Sequence, residues 1–166
     1  MKNIYIVGFM GTGKTSTGRE LAARLKRDFF DLDEIIEQKE KMSVAQIFKQ
    51  KGESYFRKLE RDLVKEVASR ENLVVSCGGG AIVDKDNLAS LKKSGVIICL
   101  QSDADTILKR TKGNLQRPLL NVDNPRERIN KLLKDREPFY SQSDHFLDTT
   151  GLSVSQTADK ILEIIK

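Results

Sequence analysis

The chain has 166 residues, 39% hydrophobic and 32% charged, with a net charge of +5. That length suits one domain spanning residues 1–166 with a sizeable core; the composition excludes a disordered chain, and no apolar run is long enough to span a membrane. Basic residues are interleaved with acidic ones, as between Glu53 and Glu71, and aromatic stacking platforms are few, so neither nucleic acid nor a membrane is expected as a partner; small anionic ligands account for the basic surplus.

Met1-Lys2-Asn3 leads straight into the apolar run Ile4–Val7, a buried-strand pattern that leaves no room for a signal or transit peptide. Gly8-Phe9-Met10-Gly11-Thr12-Gly13-Lys14-Thr15 follows and fits G-x-x-x-x-G-K-[ST] at every fixed position. A helix with Leu21, Ala22 and Leu25 comes next. Asp28–Asp31 is a short strand ending in acid, and Asp33–Glu40 is helical. Ser43 with Gln46 has capping-box spacing. Gly52 opens a longer helix to about Arg70, with Phe56, Leu59, Leu63 and Val67 on one face. Leu73–Ser76 is the third strand and runs into Cys77-Gly78-Gly79-Gly80. Asp84 begins a helix carrying Leu88 and Leu91, and Val96–Leu100 is the strongest strand pattern.

Asp103–Arg110 is a short helix, and residues 111–123 form an aperiodic loop. Asn124-Pro125 starts a helix that is expected to stop before Pro138. His145–Asp148 is the last strand, and Ser153 with Gln156 caps the final helix. Five short apolar strands separated by helices predict a parallel sheet buried on both faces, a three-layer α/β P-loop NTPase domain. Cys77 and Cys99 lie in or beside apolar runs and read as two buried thiols, suited to a reducing cytoplasm. The lone His145 is assigned no role.

The glycine loop between strand and helix carries the first chemistry. Its backbone N–H groups can converge on an anion, and the following helix adds its positive end. Lys14 would reach the β- and γ-phosphates of a nucleotide, and the Thr15 hydroxyl would ligate a bridging Mg²⁺. Asp31 and Asp33 sit at a strand's carboxyl end, where α/β sheets bind ligands. One could hold Mg²⁺ through water and the other accept a hydroxyl proton; either could equally cap a helix. Three glycines in a row, Gly78 to Gly80, mean unusual dihedrals or something approaching the backbone closely. Arg57 has Glu53 four residues before and Glu60 three after, which is either a surface ion pair or a guanidinium oriented for a carboxylate. Arg117 in the aperiodic loop suggests a lid residue that stabilises transferring charge. Arg136 ends a helix, where a cation is also favoured electrostatically.

Asp31-Leu32-Asp33, Phe56-Arg57-Lys58-Leu59-Glu60, the triple glycine, Arg117-Pro118-Leu119-Leu120 and Arg136-Glu137-Pro138-Phe139-Tyr140 occur in this order after the glycine loop. Together they resemble the shikimate kinase family over the whole chain. The resemblance implies transfer of the ATP γ-phosphoryl group to the 3-hydroxyl of shikimate, with one Mg²⁺ per monomer. It assigns Gly11, Thr12, Gly13, Lys14, Thr15 and Ser16 to the phosphates, with Arg110 against the adenine and Arg117 closing over the phosphates. Thr15 and Asp31 go to the metal. Asp33, Arg57, Gly78, Gly79, Gly80 and Arg136 go to shikimate, with Asp33 as base and the two arginines on the carboxylate. Lys14, Asp33 and Arg117 are the implied catalytic residues. Substrate-binding helices are implied over about 32–62 and a lid over about 111–123, in a cytoplasmic monomer. The stretch Asp148-Thr149-Thr150-Gly151-Leu152-Ser153-Val154 resembles the family's adenine-side loop but lacks the proline often found there. The alternatives are a gluconate kinase of the same fold, and a non-catalytic nucleotide-sensing protein; the latter would be expected to lack Lys14, Asp33 or Arg117, all of which are present.

Overall fold

A computed structural model describes residues 1–112, 120 and 122–166, so Arg117 and most of the expected lid lie outside the described residues. Five parallel strands form the sheet: β1 (Asn3–Gly8), β2 (Asp28–Asp31), β3 (Leu73–Ser76), β4 (Gly95–Gln101) and β5 (His145–Asp148). Their order is β2-β3-β1-β4-β5. β1 is central and wholly buried, with Ile4 opposite Val74 of β3 and Val96 of β4. All five expected strands are present, three of them with the expected limits.

The helices cover both faces. They are α1 (Lys14–Leu25), α2 (Leu32–Glu40), α3 (Val44–Lys51), α4 (Glu53–Ala68), α5 (Lys85–Ser94), α6 (Ala104–Thr111), α7 (Pro125–Tyr140) and α8 (Val154–Ile164). The 3₁₀ turn Ala81–Val83 was not expected from the sequence. Alternation along β1 sends Tyr5 and Val7 into one core with Ile36, Ile47, Phe56 and Leu63, and Ile4 and Ile6 into another with Leu21, Ala22 and Ile161. The result is helix, sheet, helix: the three-layer α/β arrangement. None of the described helices is long and apolar enough to cross a membrane. Cys77 and Cys99 are both free and buried.

Local sequence sets most helix starts. Both halves of the capping box form at Ser43–Gln46 and again at Ser153–Gln156. Asp84 and Asp103 cap α5 and α6, and Asn124 caps α7 with Pro125 at its first position. One expected boundary is wrong: α7 does not stop before Pro138 but runs through it to Tyr140. The missing proline N–H weakens one turn without ending the helix, because the residues beyond it are anchored elsewhere.

Candidate active site

Parallel strands align their carboxyl ends on one side of the sheet, where three strand–helix junctions meet. The first is the loop between β1 and α1. Gly11 and Gly13 adopt φ of 77° and 91°, backbone that side chains with a Cβ rarely take, and the turn into α1 depends on it. Gly11, Gly13, Lys14, Thr15 and Ser16 line a cavity of about 450 Å³. Thr12 does not: it is 2% exposed, and its hydroxyl donates to the Phe9 carbonyl at 2.7 Å. Lys14 Nζ lies over the loop and donates to the same carbonyl at 3.0 Å.

The second junction is the end of β2. Asp31 caps α2, as its position allowed, and also reaches the glycine loop. Its Oδ1 accepts from Glu34 N at 3.1 Å as the cap of α2, and its Oδ2 accepts from the Thr15 hydroxyl at 2.6 Å. A hydroxyl and a carboxylate oxygen in contact, beside a phosphate-type loop, are hard donors that fit Mg²⁺, which takes few protein ligands and shares phosphate oxygens. No group of three or more His, Cys, Asp or Glu among the described residues could cage a metal by itself. Asp33 lies in the first turn of α2 and is not its cap. The residue is half-buried, but its Oδ1 is shut off from solvent and has no hydrogen-bond partner in the protein. Burial pushes its pKa up to about 6; the Asp31 charge adds to this and Lys14 opposes it.

The third junction, after β3, explains the glycine run. Gly78, Gly79 and Gly80 have no positive φ, so the demand is space rather than dihedrals. A methyl group on Gly78 would lie 2.8 Å from Asp33 Oδ1 and 3.1 Å from Glu60 Oε2. One on Gly79 would lie 3.1 Å from Arg136 Nη1, and one on Gly80 2.5 Å from Arg57 Nη2. Each glycine therefore leaves room for a charged side chain of the cavity.

Arg57 is held by both of its predicted partners: Nη1 donates to Glu60 Oε1 at 2.8 Å and Nη2 to Glu53 Oε1 at 3.2 Å. Glu60 is 1% exposed, so this is not a solvated surface pair. Burial lowers the Arg57 pKa, but Glu60 and Glu53 outweigh it and hold the charge. Arg136 is also buried, with its guanidinium 5.4 Å from the Phe9 ring centre and Nη1 without a hydrogen-bond partner in the protein. It is not the exposed helix-end cation that its position allowed. Asp31, Asp33, Arg57, Gly78, Gly79, Gly80, Arg110 and Arg136 all line the same cavity as the glycine loop. Arg117 lies outside the described residues.

Two contributors escaped the sequence reading. Glu60 was visible as an Arg57 partner, yet its other oxygen, Oε2, is buried beside Asp33 without a hydrogen-bond partner, and burial lifts its pKa to about 7. Its i+3 spacing gave the pairing but not the depth. Tyr140 donates to the Gly79 carbonyl at 2.7 Å, a contact hidden by the expected helix stop at Pro138.

The arrangement offers a phosphate loop at one end, two guanidiniums at the other, and a carboxylate with raised pKa between them. The family model described as shikimate kinase matches residues 10–166. The chain is similar to the shikimate kinase of Pelotomaculum thermopropionicum, 46% identical over all of this chain and 96% of that one. It is likewise similar to that of Thermodesulfovibrio yellowstonii, 44% identical over 98% of this chain and 94% of the other. Among solved structures, shikimate kinase from Acinetobacter baumannii in complex with shikimate superposes with a TM-score of 0.96 at 40% identity, covering 99% of this chain and 93% of that one. With sequence and shape both matched from end to end around this cavity, the chain belongs to the shikimate kinase family.

Proposed function

We propose that this chain is a phosphotransferase that moves the γ-phosphoryl group of ATP to the 3-hydroxyl of shikimate, giving shikimate 3-phosphate and ADP in aromatic amino acid and chorismate biosynthesis. The observation that carries the proposal is the single cavity joining Lys14 and the glycine loop to Arg57 and Arg136, with Asp33 between. Two guanidiniums can clamp one carboxylate and fix the ring's orientation at once. With the acid held there, Asp33 hydrogen-bonds the ring hydroxyls and receives the proton of the attacking one. That hydroxyl oxygen forms the new bond to the γ-phosphorus as the bond to the ADP oxygen breaks. The backbone N–H of Gly79 donates to the acid, and Gly78 and Gly80 leave space for the side chains around it.

The phosphate chain is held by residues Gly11 to Ser16, with Lys14 balancing its charge and Arg110 beside the adenine. Thr15 directly, and Asp31 through water, would hold one Mg²⁺ per monomer, which would supply positive charge to the phosphate chain. Arg117, outside the described residues, is assigned by the family resemblance to the charge developing on the transferred group, in a lid over about 111–123. Helices within 32–62 form the acid-binding side of the single domain. A cytoplasmic monomer suits two buried free thiols and a surface whose large apolar residues among those described are scattered.

A coupled ADP-release assay with a panel of hydroxy acids, including gluconate, tests the reading. Shikimate-dependent turnover well above background ATPase is expected; its absence would overturn it.

A further inference from the structure

The loop after β5 touches the glycine loop through one buried side chain. Thr149 is 2% exposed. Its Oγ1 lies 3.1 Å from the Thr12 carbonyl, 2.7 Å from the Ser102 hydroxyl and 3.2 Å from Nη1 of Arg110. Arg110 completes the junction, donating from Nη2 to the Thr149 carbonyl at 3.2 Å and from Nη1 to the Gly11 carbonyl at 3.1 Å. The Gln101 carbonyl, which also accepts the Thr149 N–H at 2.8 Å, lies 3.0 Å from the same hydroxyl, so the hydroxyl hydrogen is shared between the Gln101 and Thr12 carbonyls on either side of it. The oxygen accepts from Arg110, and the Ser102 hydroxyl completes the set as donor or acceptor.

The consequence follows from peptide geometry. The Thr12 carbonyl and the Gly13 N–H belong to one planar trans peptide and point in opposite directions. Fixing the carbonyl outward on Thr149 turns the Gly13 N–H away from the junction, and Gly13 lines the cavity. Gly13 supplies no side chain to set this orientation, and its left-handed backbone leaves the peptide easy to turn.

We propose that Thr149 is a positioning residue for the nucleoside triphosphate: its buried hydroxyl fixes the Thr12–Gly13 peptide so that the glycine loop presents its N–H to the phosphate chain. The proposal deepens the phosphotransferase reading and rests on it.

The test is equilibrium binding of Mg·ATP and of Mg·tripolyphosphate, which has phosphates but no base, to wild type, Thr149→Val and Thr149→Ser. Calorimetry serves as the readout. Thr149→Val is expected to weaken both ligands about tenfold, the scale of one lost hydrogen bond that orients a charged ligand. Thr149→Ser restores both, and the KM for the acid substrate changes less than twofold in either variant. Weakening of ATP alone would place Thr149 on the base side and overturn the proposal, as would unchanged binding of both. If Thr149→Val does not fold, Ser102→Ala decides: a smaller loss for both ligands supports the proposal and no loss overturns it. If the wild type itself bound no ATP, the phosphotransferase reading would fall and this inference with it. Wild-type binding without a Thr149 effect removes only the inference.

Discussion

The Tyr140 hydroxyl donates to the Gly79 carbonyl at 2.7 Å, tying the last turn of α7 to the glycine run. Tyr140 is 6% exposed, and burial lifts its pKa to about 12, so it stays a neutral donor across the physiological range. Because a planar peptide links that carbonyl to the next N–H, the bond also stiffens the backbone beside Arg57 and Arg136. Tyr140→Phe keeps the ring and loses the bond. It should cost about 1 kcal/mol in urea denaturation and raise KM for the acid about threefold or more, with KM for ATP unchanged.

Gly80 has φ −102° and ψ −3°, which alanine adopts without strain. The added methyl would meet the Arg57 guanidinium at 2.5 to 2.8 Å. Gly80→Ala should therefore fold, displace Arg57, and weaken acid binding about tenfold or more while leaving nucleotide affinity intact. Parallel titrations with shikimate and with ADP check the split. Equal loss of both would show that the effect is not local to Arg57.

Asp33→Asn preserves shape and removes the proton acceptor. Turnover should fall by about 10²- to 10⁴-fold, the range of a general base, with shikimate affinity changed only a few-fold. Unaltered turnover with binding intact would remove Asp33 as base.

The pH dependence of stability should report Glu60. Burial raises its pKa from the ordinary 4.5 to about 7, with Asp33 and Asp84 adding to the rise and Arg57 opposing it. The folded state thus holds this proton more tightly than the unfolded chain does. The stabilisation is fully present below about pH 4.5 and is lost as pH rises through about 7. The slope from this group is at most about 1.4 kcal/mol per pH unit. Glu60→Gln, which can still accept from Arg57, should flatten that decline in denaturation curves taken between pH 4.5 and 8.

Much of this was legible in the chain itself. Strand limits at Asp28–Asp31 and Leu73–Ser76 follow from short apolar runs bounded by turn residues, and the caps at Ser43, Asp84, Asn124 and Ser153 are local hydrogen bonds written in neighbouring residues. The order β2-β3-β1-β4-β5 was not, because which strands pair depends on contacts far apart in sequence. The site's placement was legible where a residue's position is set by its own junction, as at Lys14, Thr15 and Asp31, all of which line the one cavity. It was not where depth decides. Arg57 could have been a surface ion pair until Glu60 was found buried beneath it, and the glycine run had two explanations until four charged side chains, Asp33, Glu60, Arg136 and Arg57, were found against the space of its missing methyl groups. The proline rule failed at α7, since Tyr140 gains a buried partner by letting the helix continue past Pro138.

The two outer strands of the sheet, β2 and β5, are only four residues long, and each carries an aspartate exposed to water, Asp28 in one and Asp148 in the other. Hydrogen-bonding another chain onto either rim would draw one of these carboxylates out of solvent. During folding at high concentration, when half-formed sheets seek partners, each rim therefore discourages edge-to-edge aggregation.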